Sequence, residues 1–178
     1  MVGFTFFFLQ QLPASEPIDD DDPGTAASST TTTTSTVIIA TTTTVPVDPA
    51  IATYTDSITA AQTELADIDD ELQSIHGAFN ERAIDFVTAR DRLDGLITRT
   101  GTWVETVAAI TTPSPDLDVT KAVLAESSNA IATVLSEYRS GLVSSDTGQA
   151  RAAAYESWGA TLPAFEDAAN AAKAAATN

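Results

Sequence analysis

Cysteine is absent from the 178-residue chain. That single absence excludes disulfides, thiolate metal ligands, thiol nucleophiles and the lipid-bearing cysteine of a bacterial lipoprotein. Histidine occurs once, at position 76. A ferritin-like di-metal bundle needs Glu-x-x-His twice, and His76 follows Glu71 by five residues instead of three. Serine hydrolysis has no support either, because G-x-S-x-G is missing and a lone imidazole would have to serve as base. Neither a Walker A loop nor G-x-G-x-x-G is present. No cofactor is therefore expected, and the chain is read as non-enzymatic, with His76 closing a helix beside Gly77.

Basic residues are scarce, with 8 Lys and Arg against 25 Asp and Glu and a formal net charge of -17. None precedes Arg82, while thirteen of the acids lie in residues 1–81. Nucleic acid is excluded as a partner, since phosphate contacts need a basic face. The ordinary role of such a charge is solubility or tolerance of salt. Long apolar runs are also missing. The longest at the N-terminus, Val2 to Leu9, has eight residues, whereas a membrane helix needs about 20. No basic residue stands before it, and Leu12-Pro13-Ala14-Ser15 is a poor cleavage site. Residues 1–12 are read as a shortened signal or anchor whose true start lies upstream of Met1, the alternative being an apolar tip on a disordered tail, and membrane contact is expected only through them.

What is present begins with a linker. Residues 13–47 open with PASEPIDDDDPG, and ten of the twenty residues from Ser28 to Val47 are Thr. Such a segment cannot bury enough apolar surface to offset chain entropy, and its composition is that of an Asp- and Thr-rich stalk. The tetra-Asp run, Asp19 to Asp22, lacks the alternating ligands and terminal Glu of a calcium loop and reads as solvated charge.

From residue 48 onward the pattern is helical. Asp48-Pro49 is a start signal, because Asp caps free amides and Pro suits the first helical turn. Ile51, Tyr54, Ile58, Ala61, Leu65, Ile68, Leu72, Ile75 and Phe79 then recur at alternating steps of three and four, the spacing of a helix seam. Gly77 marks the expected stop. A second helix takes Phe79, Ala83, Phe86, Leu93, Ile97, Val104 and Val107 on one face, widened by Leu96, Trp103 and Ile110. Thr112-Pro113-Ser114-Pro115 breaks it. A third carries Leu117, Leu124, Ile131 and Tyr138, with Val123, Val134, Leu135 and Leu142 broadening the stripe. Asp146 and Gln149 make a capping-box-like start for the fourth, which holds Tyr155, Trp158, Leu162, Phe165 and Ala169. Pro163 is expected to kink it, and the terminal AANAAKAAATN, with high helix propensity and little to bury, to fray at its last residues.

These segments, about 49–76, 79–111, 116–142 and 147–174 within a domain at 48–176, predict an all-α, antiparallel up-down-up-down four-helix bundle. The alternative is three helices in which one long rod spans 49–111, since the seam's phase continues through Gly77. The Thr-rich leader ending in TTTTVPVDP, with TWVETVAAITTPSP, YRSGLVSSDTGQAR and YESWGATLPAFEDAA, resembles exported, lipoprotein-like actinobacterial helical-bundle proteins over about residues 30–172. The resemblance lies in composition and layout and brings no biochemical activity with it. It implies an extracytoplasmic, envelope-associated chain, from which this one departs by lacking the lipobox cysteine.

Two candidate sites remain. Asp67, Asp70 and Glu71 belong to the densest acidic cluster, and as hard oxygen ligands on one helical face they are the candidate set for a divalent cation; the ordinary alternatives are a solvated helix face and ion pairs with Arg82, Arg90, Arg92 or Arg99 of the next segment. Phe86, Trp103, Tyr138, Tyr155, Trp158 and Phe165, with Phe79, are either core or the lining of a ligand pocket, as in sensory ectodomains that resemble chemoreceptor four-helix modules. The preferred expectation is a non-catalytic structural or protein-interaction module displayed at the envelope, whose partner is a protein, an envelope component or a second copy. A ligand-sensing four-helix domain is the alternative.

Overall fold

The computed structural model describes residues 48–177; the apolar segment 1–12 and the stalk at 13–47 lie outside them. Four helices fill this span: α1, Pro49–Asn80; α2, Phe86–Ala109; α3, Asp118–Val143; and α4, Gln149–Thr177. A 3-10 turn, Pro115–Leu117, leads into α3, and no strand occurs among the described residues. Each helix packs against the next, and α4 closes the ring onto α1, so α1 and α3 lie across one diagonal and α2 and α4 across the other. Side-chain pairs run in opposite order along neighbours. Arg92 reaches Ser74 and Arg99 reaches Glu64 between α2 and α1, while Trp158 bonds Asp69 and Lys173 bonds Gln62 between α4 and α1. The molecule is an all-α four-helix bundle.

The α1 seam is buried as its spacing requires, at Tyr54, Ile58, Ala61, Leu65, Ile68, Leu72 and Ile75, with Ile51 and Phe79 partly covered at its ends. Complete burial of a side chain such as Ile68 or Leu72 contributes about 1.5–3 kcal/mol. Asp48 caps the first turn, its carboxylate accepting from the Ala50 amide at 2.8 Å.

The helix does not stop at Gly77. It continues to Asn80, and the reversal is made by Arg82 at φ 58°. Ala83 N–H donates to the Ala78 carbonyl at 2.8 Å and Arg82 N–H to that of Phe79 at 3.1 Å. This paired closure is a Schellman motif with arginine in the left-handed position that glycine normally takes. Asp85 then caps α2 by accepting from the Thr88 amide at 2.8 Å. The chain is therefore broken at residues 81–85, and the long rod over 49–111 is not formed.

That later start shifts the buried face of α2 to Ala89, Leu93, Leu96, Thr100, Trp103 and Val107, continued by Ile110. Phe86 is outside it, 42% exposed at the helix start. In α3 the expected Leu124, Ile131, Leu135, Tyr138 and Leu142 are buried and are joined by Ser128 and Gly141, whereas Val123 points out, 50% exposed. The hydroxyls of Thr100 and Ser128 are satisfied inside the core by the carbonyls of Leu96 and Ala125.

Helix α4 begins at Gln149, with Asp146 accepting from the Gly148 and Ala150 amides. The helix continues through Pro163 to Thr177. Its alanine-rich end buries more than expected: Ala168, Ala169, Ala172 and Ala176 all belong to the core. Small side chains let helices approach closely. One close approach is between Gly141 and α4, where an added Cβ would meet the Arg151 amide nitrogen at 2.5 Å.

Candidate functional site

The acidic cluster on α1 does not assemble into a cation site. Asp67 and Glu71 both turn to the Arg99 guanidinium of α2, each at 3.5 Å, and Glu64 bonds its Nε. Asp70 is exposed and enters no ion pair among the described residues. No three His, Cys, Asp or Glu side chains among them are placed to hold a metal ion. The structure thus places Asp67 and Glu71, with Glu64, in an interhelical ion-pair network around Arg99 and leaves Asp70 outside it. The hydrogen bond to Glu64, with the nearby carboxylates, raises the Arg99 pKa further above its ordinary value.

The aromatic residues are divided among separate contacts. Trp103 meets Phe165 across the α2–α4 diagonal, ring centroids 5.0 Å apart, and its indole N–H donates to the Ala61 carbonyl at 2.9 Å. Trp158 is buried and donates to Asp69 at 2.8 Å. Tyr138 and Tyr155 gather around His76 near the α1–α2 turn. Phe86 meets none of these. Five of the six expected aromatics are thus buried or half-buried in packing contacts, and the six do not enclose a common pocket.

His76 is the chemically distinctive member. Its Nδ1 lies 2.9 Å from the Tyr138 hydroxyl, and its ring stacks on Tyr155 at 3.6 Å. Burial, then the positive charge of Arg151, lowers its pKa. Burial pushes the Tyr138 phenol up to about 12, a rise that Arg151 opposes and Tyr155 reinforces. Nδ1 and the phenol are thus within hydrogen-bond distance, the imidazole tautomer setting which of them donates. The arrangement links α1 to α3 and α4.

The site with room for a partner lies at the other end of the bundle, between the first half of α1 and the last half of α2. It is a groove of about 800 Å³ walled by Thr53, Ser57, Ala60 and Glu64 on one side and Arg99, Thr102, Thr106 and Ala109 on the other. Ala61, Trp103 and Ile110 are its buried floor. Steps of three and four bring each wall onto one helical face, over roughly 16 Å or three turns. The wall hydroxyls turn back onto their own helices: Thr53 to Pro49, Ser57 to Thr53, Thr102 to Thr98 and Thr106 to Thr102. Carbon, more than oxygen, is what these side chains offer to an occupant. Residues 48–64 and 99–111, which frame the groove, contain Asp48, Asp56, Glu64 and Glu105 against Arg99 alone.

Reading the sequence for aromatic and charged side chains missed this groove. The signal that could have found it is the row of Thr, Ser and Ala flanking both seams, where charged side chains ordinarily stand in a bundle. No helix among the described residues is long and apolar enough to cross a membrane. No protein-family profile, curated protein or solved structure matches the chain.

Proposed function

We propose that the bundle is a non-catalytic protein-interaction module, displayed outside the cytoplasm on the Thr-rich segment. Its α1–α2 groove receives a helix of a partner protein that carries basic residues beside a stripe of small apolar ones. The observation that carries this reading is the groove, which offers carbon more than oxygen over about three turns, with Asp56 and Glu105 beside its wall residues in sequence. A helix laid there covers Ala60, Ala109 and the edge of Trp103 and brings its flanking charges beside Asp56 and Glu105. A second copy is a poor occupant, because two acidic frames would face each other in a chain of net charge -17. The external placement is supported by the stalk-like composition of residues 13–47 and by their resemblance to the leaders of exported helical proteins.

Two peptide probes test the groove. One is an amphipathic helix of about 18 residues, or roughly 27 Å, with an Ala/Leu stripe between lysines; the other has the same stripe between glutamates. Titrated into the full chain, the lysine peptide is expected to shift the amide signals of Ala60, Thr106 and Ala109 saturably. The glutamate peptide is expected to leave them in place. Equal binding of the two, or binding of neither, overturns the reading.

A further inference from the structure

The opposite end of the α1–α2 pair holds a second cleft, of about 520 Å³, around the turn that joins them. Its chemistry is unlike the rest of the surface. In a chain with 25 acids and 8 basic residues, two of the basic side chains, Arg82 and Arg151, line this one cleft. Neither forms an ion pair among the described residues, whereas Arg90, Arg99 and Arg139 all do. Arg151 is held in place without a carboxylate: its guanidinium lies 4.7 Å from the Phe79 ring centroid and donates to Asn80 Oδ1 at 2.9 Å. Its Nε is buried and has no hydrogen-bond partner. Arg82 occupies the one left-handed position of the turn at φ 58°, where glycine would fit without strain. The acid that lines the cleft, Asp85, is engaged in capping α2 through Thr88. At the same cleft stands Phe86, a phenylalanine left 42% exposed.

We infer that this cleft binds a small organic anion, a carboxylate joined to an aromatic or apolar group, with Arg82 and Arg151 on the carboxylate and Phe86 against the apolar part. Two guanidiniums, neither in an ion pair among the described residues, against the single carboxylate of Asp85 supply the attraction, and an arginine prepositioned by Phe79 and Asn80 loses little freedom on binding. The volume is within the range of small-molecule sites. This inference is independent of the groove, which uses the other end of both helices.

The test titrates the full chain with phenylacetate, acetate and phenethylamine, following the Phe86 ring and Arg side-chain signals by NMR. Phenylacetate is expected to bind saturably, with a dissociation constant on the order of 1 mM, to bind more tightly than acetate and to be matched by no response to the amine. Arg82→Gln and Arg151→Gln should each weaken it by about tenfold. Arg82 is exposed, so its variant decides the matter should Arg151→Gln melt at a lower temperature. Equal affinity for acetate, which would mean an adventitious ion only, overturns the inference. A response to the amine, or unchanged binding in Arg82→Gln, does so as well.

Discussion

The imidazole of His76 lies flat on the ring of Tyr155, with centroids 3.6 Å apart and planes 7° from parallel. Tyr138 approaches the same ring from α3 and Arg151 from the start of α4, so three helices converge on one neutral side chain. Because burial and Arg151 lower its pKa, the unfolded chain takes up a proton at a pH where the folded chain does not. Stability is then complete above the unfolded value of about 6.5 and declines as pH falls through it toward the lower folded value. Urea unfolding between pH 7.5 and 5 should show this decline, and His76→Gln should remove most of it. An unchanged slope in the variant would contradict the assignment.

Arg82→Gly should stabilise the fold. Arginine at φ 58° has the Cβ clash that glycine lacks, so relief of about 1 kcal/mol is expected in chemical denaturation. The same substitution should weaken phenylacetate binding. A loss of stability would mean that the Arg82 side chain supports the turn by contacts that outweigh its backbone strain.

Gly141→Ala should do the reverse. Its new methyl would meet the Arg151 backbone at 2.5–2.7 Å, where no flexible side-chain end is available to yield. Separation of α3 from α4 at this point is expected to cost about 1–3 kcal/mol. Gly77→Ala, with open space around its Cβ, is the control and should raise stability by about 0.5–1 kcal/mol.

Tyr54 is 1% exposed, and its hydroxyl has no partner among the described residues. Tyr54→Phe removes that buried oxygen and keeps the ring, so stability should rise by about 1 kcal/mol, or a few degrees in melting temperature. A fall would show that the hydroxyl is bonded in solution.

Legibility in the sequence followed the strength of each local signal. The α1 seam could be read residue by residue because Ile, Leu and Tyr recur without interruption from Tyr54 to Ile75. The end of α1 could not, because Gly77 carries the usual sign of a helix stop while the turn is made by Arg82, a residue type that gives no such sign. That misplacement carried Phe86 onto a buried face it does not occupy and concealed the Asp85 cap. The alanine tail offers little to bury by its sequence, because Ala alone shows no apolar period; in the fold Ala168, Ala169, Ala172 and Ala176 nevertheless enter the core. The acids of α1 show the limit for charged groups: the sequence offers Arg82, Arg90, Arg92 and Arg99 alike as partners for them, and only the packing of α2 on α1 selects Arg99 for Asp67 and Glu71. The groove was hidden for a related reason, since Thr, Ser and Ala on an outer face look like ordinary helix surface.

The groove's role is tested most directly by closing it without disturbing the core. Ala60 and Ala109 are exposed on opposite walls, so the double substitution Ala60→Arg and Ala109→Arg puts bulk and like charge where a basic helix would lie. Titration calorimetry with the lysine-flanked helix should show affinity reduced by about tenfold or more, with the melting temperature of the bundle unchanged. Undiminished affinity in a folded double variant would contradict the assignment of the groove as the binding surface.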